Sequence, residues 1–182
     1  MEHLSSAARR AKVGAVTGPR AVLLTGPLGS GKTSVAITMG RLLDAAGVPN
    51  AVVDLDWLCW VGPDLPTERL RRVMCDNLAA VRTRYLHDGV ETLVLARSVT
   101  GLEEVEAVRA AAGGFLVAFR LSVPPDVAAS RLAARDDGDD DLSQADALAA
   151  ADARLPLPAV RNHGRTMRET AAEILDRLGW LA

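Results

Sequence analysis

A glycine-rich octapeptide constrains the fold of this chain more than any other stretch of its sequence. It reads Gly26-Pro27-Leu28-Gly29-Ser30-Gly31-Lys32-Thr33 and matches the pattern G-x-x-x-x-G-K-[ST]. The apolar residues 20–25 before it are typical of a short buried strand, and residues 34–43 after it have the pattern of a helix. A strand, a glycine loop and a helix in this order predict a phosphate-binding loop in an α/β fold.

The chemistry of this motif assigns a role to most of its positions. Its glycines let successive backbone N–H groups point at phosphate oxygens, and the start of the following helix favours an anion. Lys32 is expected to reach the β- and γ-phosphates of a nucleotide, and the Thr33 hydroxyl to bind Mg²⁺. The nucleotide-binding residues predicted from the motif are Gly26, Leu28, Gly29, Ser30, Gly31, Lys32, Thr33 and Ser34.

A dinucleotide-binding fold is the nearest alternative, because Asp54 follows the glycines at about the distance of a ribose-binding acid. Its pattern G-x-G-x-x-G requires a glycine where this chain has Ser34, and it gives no reason for Lys32 and Thr33. A chance glycine-rich turn would not be expected to meet every fixed position of the motif between a strand and a helix. We therefore retain the phosphate-binding loop.

The composition favours a single globular domain with a substantial core. The chain has 182 residues, of which 49% are hydrophobic and 24% are charged. The net charge of −2 gives no indication of nucleic acid, and no apolar run approaches the length of a membrane span. The N-terminus has no hydrophobic signal core, so we expect a cytoplasmic protein, and Cys59 and Cys75 suggest neither a disulfide framework nor a zinc site.

Strands alternate with helices along the rest of the chain. We expect residues 1–19 to form an N-terminal arm and residues 20–182 to form one domain. Alternation of this kind predicts a parallel sheet between two layers of helices, with right-handed crossovers. Capping boxes are predicted at Thr100 with Glu103 and at Thr166 with Glu169. The predicted strands cover residues 20–25, 51–56, 91–96, 115–121 and 157–160.

Two carboxylates end the second predicted strand. Side chains alternate along a strand, so Asp54 and Asp56 are expected to point the same way, at the edge where open α/β sheets bind ligands. The aromatic stretch from Trp57 to Val61 follows, and it either walls a substrate pocket or plugs the space under the next helix. Two charges at one strand end are costly to bury unless a cation shares them.

The helix predicted from Thr67 to about Tyr85 carries one polar residue that the pattern places on its apolar stripe. Asn77 either satisfies backbone groups inside the protein or faces the cleft and meets substrate. Arg97 ends the third predicted strand, and we group it with Asp56, Trp57 and Asn77 as candidate substrate residues.

A lid is predicted at about residues 131–154. Arg131 and Arg135 lie four residues apart on one helix face, and the acidic run 136–141 that follows is expected to be a mobile, solvated loop.

With these motifs placed, residues 20–180 resemble the P-loop kinases of small metabolites and nucleotides, such as shikimate, gluconate and adenylylsulfate kinases. The sequence is also similar to actinobacterial proteins described as ATPases or kinases. The resemblance implies a five-stranded sheet of order 2-3-1-4-5. It also implies that one carboxylate of the Asp54 and Asp56 pair helps hold hydrated Mg²⁺, that the other contacts the acceptor hydroxyl, and that Arg131 and Arg135 close on the phosphates. We assign the magnesium role to Asp54 and the acceptor role to Asp56. The alternative is that Asp54 only hydrogen-bonds the Thr33 region and Asp56 caps the following turn. Asn162 to Thr166 is similar to the segment that borders the adenine, so Asn162 and Arg165 join the nucleotide-binding candidates.

Two features depart from the family pattern. The third strand ends Leu95-Ala96-Arg97 without a Walker-B aspartate, and the predicted lid is acidic and poor in arginine after Arg135. The resemblance implies ATP- and Mg²⁺-dependent phosphoryl transfer to a small hydroxyl-bearing molecule by a monomer or homodimer, with Lys32, Asp56, Arg131 and Arg135 as catalytic residues. A nucleoside or nucleotide kinase and a regulatory nucleotide-binding module without turnover remain alternatives.

Overall fold

The fold is an α/β/α sandwich around one parallel sheet. The computed structural model describes residues 20–62, 65–134 and 142–181. Five strands hydrogen-bond in the order β2-β3-β1-β4-β5, which confirms the predicted order. They are β1 (Arg20–Thr25), β2 (Asn50–Asp54), β3 (Thr92–Ala96), β4 (Leu116–Ser122) and β5 (Ala159–Arg161).

Six α-helices and a 3-10 helix connect these strands within the described residues. The 3-10 helix spans Trp57–Cys59, directly after β2. The α-helices are α1 (Lys32–Ala45), α2 (Thr67–His87), α3 (Leu102–Ala111), α4 (Pro125–Ala133), α5 (Leu142–Ala153) and α6 (Met167–Leu178). None of the helices in these ranges combines the length and the apolar character that a membrane span requires.

Each face of the sheet buries its own apolar core. Successive side chains of β1 point to opposite faces, so Leu23 packs in one core and Leu24 in the other, both without exposed surface. The first core lies under α2 and α3 and includes Met74, while the second lies under α1 and α6 and includes Met39. This arrangement places β1 at the centre of the sheet and the glycine-rich loop that follows it at the middle of the carboxyl edge.

Two local predictions are wrong, and one is confirmed. β2 ends at Asp54, so Asp56 lies outside the strand and the alternation argument does not apply to it. The box at Thr100 does not form: α3 begins at Leu102, and the N–H of Thr100 donates to Glu104 instead, at 3.1 Å. The box of Thr166 and Glu169 forms with both of its reciprocal hydrogen bonds.

Several predicted features lie outside the described residues. These are the N-terminal arm 1–19, Arg135, and the acidic run 136–141. The helix predicted after the acidic run corresponds to α5.

Candidate active site

The glycine-rich loop takes a conformation that its glycines make possible. Gly26, Gly29 and Gly31 have φ values of 145°, 76° and 88°, a region that other residues rarely adopt. A Cβ atom at Gly29 would lie 2.4 Å from the carbonyl oxygen of Ala128 in α4, so α4 closes against the loop only because this residue is glycine. The three glycines thus permit the curvature of the loop, and Gly29, at a position that the motif leaves open, permits the close approach of α4.

Lys32 stands at the junction of the loop and α1. Its Nζ donates to the carbonyl oxygens of Gly26 and Pro27, each at 3.0 Å, so the ammonium group lies over the loop. Gly31 is the N-cap of α1, and no side chain caps the helix there. The first N–H groups of α1 therefore remain available to an anion, as a phosphate site requires.

Two side chains from other parts of the chain hold the loop in place. Ser98 Oγ, after β3, donates to the carbonyl oxygen of Gly26 at 3.0 Å. Asn162 Nδ2, after β5, donates to the carbonyl oxygen of Ser30 at 2.7 Å, and its Oδ1 accepts from Thr170 Oγ1 at 2.8 Å. Because Asn162 is fully buried, its side chain supports the loop from behind. Sequence reasoning missed Ser98, which no motif marks.

Arg131, which was predicted to act on the phosphates, lies beside the loop. Its guanidinium donates to the carbonyl oxygens of Gly29 at 3.4 Å and Asn162 at 3.0 Å. Arg165 is engaged elsewhere, since it pairs with Glu173 and donates to the carbonyl oxygen of Glu169. Both arginines thus bond other groups of the protein.

Thr33 and Asp54 meet at the carboxyl edge of the sheet. Thr33 Oγ1 donates to Asp54 Oδ2 at 2.7 Å, and the other carboxylate oxygen accepts from the N–H of Asp56 at 3.1 Å. The described residues contain no cluster of three or more His, Cys, Asp or Glu suited to a metal. A hydroxyl with one carboxylate nevertheless fits Mg²⁺, which binds through few protein ligands and keeps water and phosphate oxygens for the rest.

Asp56, just after β2, belongs to a chain of charges that ends on α3. Its Oδ1 lies 2.5 Å from Arg97 Nη1, and Arg97 Nε lies 2.7 Å from Glu104 Oε1. Desolvation raises the pKa of Asp56, while the charge of Arg97 opposes that change. The Asp56 side chain is nevertheless 63% exposed, so solvent reaches it directly. The sequence grouped Asp56 with Arg97, but Glu104 was missed, because it lies in the first turn of α3 and no motif marks it.

The aromatic stretch forms an exposed wall beside Asp56. The rings of Trp57 and Trp60 stack with centroids 5.1 Å apart, and 70% and 76% of these residues are exposed. This exposure excludes the plug alternative for these two side chains. Asn77 is also exposed rather than on a buried stripe, which corrects the helical pattern prediction. Its Nδ2 donates to the carbonyl oxygen of Leu58 at 2.7 Å and so fixes the 3-10 helix to α2.

No protein-family model and no curated protein matches the sequence of this chain. Known structures nevertheless share its fold across nearly its whole length. A gluconokinase from Sinorhizobium meliloti is 22% identical, with 89% of this chain and 94% of that chain covered and a TM-score of 0.57. The APS kinase of Mycobacterium tuberculosis, solved with AMPPNP and APS, is 23% identical, with coverages of 88% and 98% and a TM-score of 0.58. The tunicamycin resistance protein of Deinococcus radiodurans is 16% identical, with coverages of 90% and 97% and a TM-score of 0.65. The chain therefore has the fold of the P-loop kinases.

Proposed function

We propose that this chain transfers the γ-phosphoryl group of ATP to a hydroxyl group of a small molecule. The observation that carries the proposal is the convergence of three groups at one edge of the sheet. The Lys32 ammonium lies over the loop, the Thr33–Asp54 pair flanks it, and the exposed Asp56 carboxylate follows β2. A cation for phosphate, a pair of oxygen ligands and a carboxylate for an incoming hydroxyl are what phosphoryl transfer requires.

The residues of the chain would act mainly by binding and orientation. The loop N–H groups and Lys32 hold the β- and γ-phosphates, and Arg131 adds positive charge at the side of α4. Asp56 orients the acceptor hydroxyl and accepts its proton, while Arg97 holds the Asp56 carboxylate in place. Thr33 and Asp54 would hold Mg²⁺, which would neutralise negative charge on the phosphate oxygens. Arg135 remains a second phosphate-binding candidate from the sequence.

A nucleoside or nucleotide kinase is the second candidate function, and the exposed tryptophan pair favours it. An aromatic ring beside Asp56 offers a stacking surface for a planar base. ADP release is measured with a panel of nucleosides and non-aromatic alcohols as acceptors. Stimulation by nucleosides supports the nucleoside kinase, and stimulation by the alcohols supports a kinase of other small molecules.

Nucleotide binding is tested by calorimetry with ATP and GTP in the presence of Mg²⁺. We expect Lys32→Ala to lose binding, because the contact of its ammonium with the phosphates is lost, whereas Lys12→Ala removes the same charge outside the motif and should bind normally. Equal binding by wild type and Lys32→Ala would remove the basis of the proposed function.

A further inference from the structure

A cavity of about 320 Å³ lies between the start of α2 and the carboxyl end of β3. Its walls come from Cys59 of the 3-10 helix, from the first turns of α2, from the segment after β3 and from Glu104 of α3. Arg97, one of the predicted substrate residues, also lines it. A cavity of about 150 Å³ is enough to hold benzene, so a small metabolite fits in this space beside Arg97.

The cavity lies next to the carboxylate that we assign to the acceptor hydroxyl. Arg97 Nη1 lies 2.5 Å from Asp56 Oδ1 and donates to Cys59 Sγ at 3.5 Å, and Cys59 is itself part of the wall. None of the described residues donates a hydrogen bond to the other carboxylate oxygen of Asp56, whose side chain is 63% exposed. A molecule that extends from the cavity past Arg97 can therefore present a hydroxyl group to Asp56.

The charge of Arg97 is already balanced by two carboxylates. Its Nε lies 2.7 Å from Glu104 Oε1, while its Nη1 contacts Asp56. The other oxygen of Glu104 accepts from the N–H of Thr100 at 3.1 Å, and only 9% of the Glu104 side chain is exposed. An anion placed beside Arg97 would therefore also lie close to two carboxylates, and their repulsion would oppose its binding.

The second arginine of the wall is paired as well. Arg71 forms an ion pair with Glu68, one turn earlier in α2. The Glu68 side chain is 65% exposed, and none of the described residues donates to its Oε1. Two arginines and two glutamates thus line the cavity, and Asp56 beside it adds one further negative charge. The described groups around the cavity therefore carry an excess of negative charge, and Glu68 has an oxygen that a ligand can reach.

We propose that this cavity holds the body of the acceptor, and that the acceptor is an amino alcohol whose ammonium group bonds Glu68 while its hydroxyl group faces Asp56. The inference rests on the proposed function and names its substrate class. The ammonium group would donate to Glu68 Oε1 and add positive charge where the wall has an excess of negative charge. A carboxylate in its place would meet Glu68 and Glu104, whose arginine partners are already engaged.

The transfer step itself needs no group beyond those of the proposed function. The hydroxyl oxygen of the acceptor forms a bond to the γ-phosphorus, and the bond from that phosphorus to the β–γ bridging oxygen breaks. The hydroxyl proton passes to Asp56, and ADP leaves. The ammonium group takes no part in this exchange and serves only to position the acceptor.

A matched pair of probes tests the charge preference on the full chain. The compounds trans-4-aminocyclohexanol and trans-4-hydroxycyclohexanecarboxylate share a ring and a hydroxyl group, and at neutral pH they differ in the sign of their charge. We expect the amine to bind at least about tenfold more tightly in titrations followed by NMR. The backbone amide signals of Thr67, Arg71 and Thr100 should shift, whereas those of Ala128 and Ala129, which line a different cavity, should not.

Glu68→Gln tests the residue to which the amine is assigned. It removes one exposed negative charge and should lower the affinity for the amine about tenfold. Glu91→Gln makes the same change at an exposed position directly before β3, at the opposite edge of the sheet, and should bind the amine as wild type does. The dispersion of the amide signals shows that each variant is folded.

The outcomes separate this inference from the proposed function. Equal or tighter binding of the carboxylate, no binding of the amine to wild type, shifts confined to residues outside the cavity, or an unchanged amine affinity in Glu68→Gln would overturn the inference. Binding of Mg²⁺-ATP by wild type, measured by calorimetry, would then leave the proposed function standing. Wild type that binds the amine in this cavity but does not bind Mg²⁺-ATP overturns the proposed function, and the acceptor role with it.

Discussion

Arg97 and Asp56 form an ion pair across the carboxyl ends of two neighbouring strands, with 2.5 Å between Nη1 and Oδ1. Arg97 directly follows β3, which ends without a Walker-B aspartate. Its side chain is 16% exposed and also contacts Glu104, so one cation serves an exposed and a buried carboxylate. Removal of Arg97 therefore leaves the buried Glu104 carboxylate without a cation, whereas removal of the Asp56 carboxylate eliminates only an exposed charge.

Asp56→Asn should affect turnover and leave stability nearly unchanged. Loss of the carboxylate that receives the hydroxyl proton is expected to lower kcat by about a hundredfold or more. ATP affinity should stay the same, because Asp56 is assigned to the acceptor. The free energy of unfolding should change by less than about 1 kcal/mol, since the side chain is largely exposed. ADP release and urea unfolding measure the two effects, and near-normal turnover would remove Asp56 from the mechanism.

Arg97→Gln should lower both turnover and stability. It leaves Glu104, whose side chain is 9% exposed, without its cation, and breaking a buried pair of this kind costs about 3 kcal/mol. The double variant Arg97→Gln with Glu104→Gln is the matched control, because it removes the uncompensated charge and should recover much of the stability in urea unfolding. Equal stability of the single and double variants would contradict a buried charge relation between these residues.

Asp54→Asn should raise the Mg²⁺ concentration needed for half-maximal rate. The substitution keeps the hydrogen-bonding shape next to Thr33 but removes the negative charge that a divalent cation requires. Asp176→Asn, at an exposed position of α6, is the control with the same chemical change. A Mg²⁺ titration of ADP release measures this midpoint. An unchanged midpoint would mean that Asp54 only holds its contacts with Thr33 and Asp56 and does not bind the cation.

The central part of the fold could be predicted because its signals are local. The loop motif has fixed spacing, and buried strands such as β1 are continuous apolar runs that need no distant partner to be recognised. Asp56 was misplaced because β2 ends at Asp54, whose carboxylate accepts the N–H of Asp56 and begins a turn that a strand pattern does not reveal. Arg120 Nη1 in β4 donates to Asp152 Oδ2 in α5 at 3.4 Å, and the two residues are 32 positions apart, so no local pattern could have predicted this contact.

Gly29→Ala should weaken the nucleotide site far more than Gly47→Ala. Both glycines have positive φ, 76° and 70°, so either substitution carries a backbone penalty of about 1 kcal/mol. A Cβ atom at Gly29 would also lie 2.4 Å from the carbonyl oxygen of Ala128, whereas nothing lies within 4 Å of one at Gly47. Calorimetry with Mg²⁺-ATP should therefore record a marked loss for Gly29→Ala and little change for Gly47→Ala. Similar affinities would mean that α4 moves away from the loop without cost.

Asn162→Ala should lower both stability and ATP affinity, although the family resemblance placed Asn162 among the nucleotide-binding residues. Its buried side chain joins the loop at Ser30 to α6 at Thr170, so we expect it to position the loop rather than to touch a base. Asn162→Ala leaves a buried carbonyl and a buried hydroxyl without this partner, at a cost of about 2 kcal/mol or more in unfolding free energy. ATP affinity should fall with it, because the loop loses its support.

Thr170→Val separates positioning from direct contact. It keeps the volume of the side chain and removes the hydroxyl that donates to Asn162 Oδ1, a change on α6 beneath the loop. A positioning role predicts that Thr170→Val also lowers ATP affinity, by less than Asn162→Ala, and that both variants lose stability in urea unfolding. A direct contact with the nucleotide predicts instead that Thr170→Val binds ATP as wild type does, because the Asn162 amide would still be present. Calorimetry on the two variants side by side distinguishes the roles.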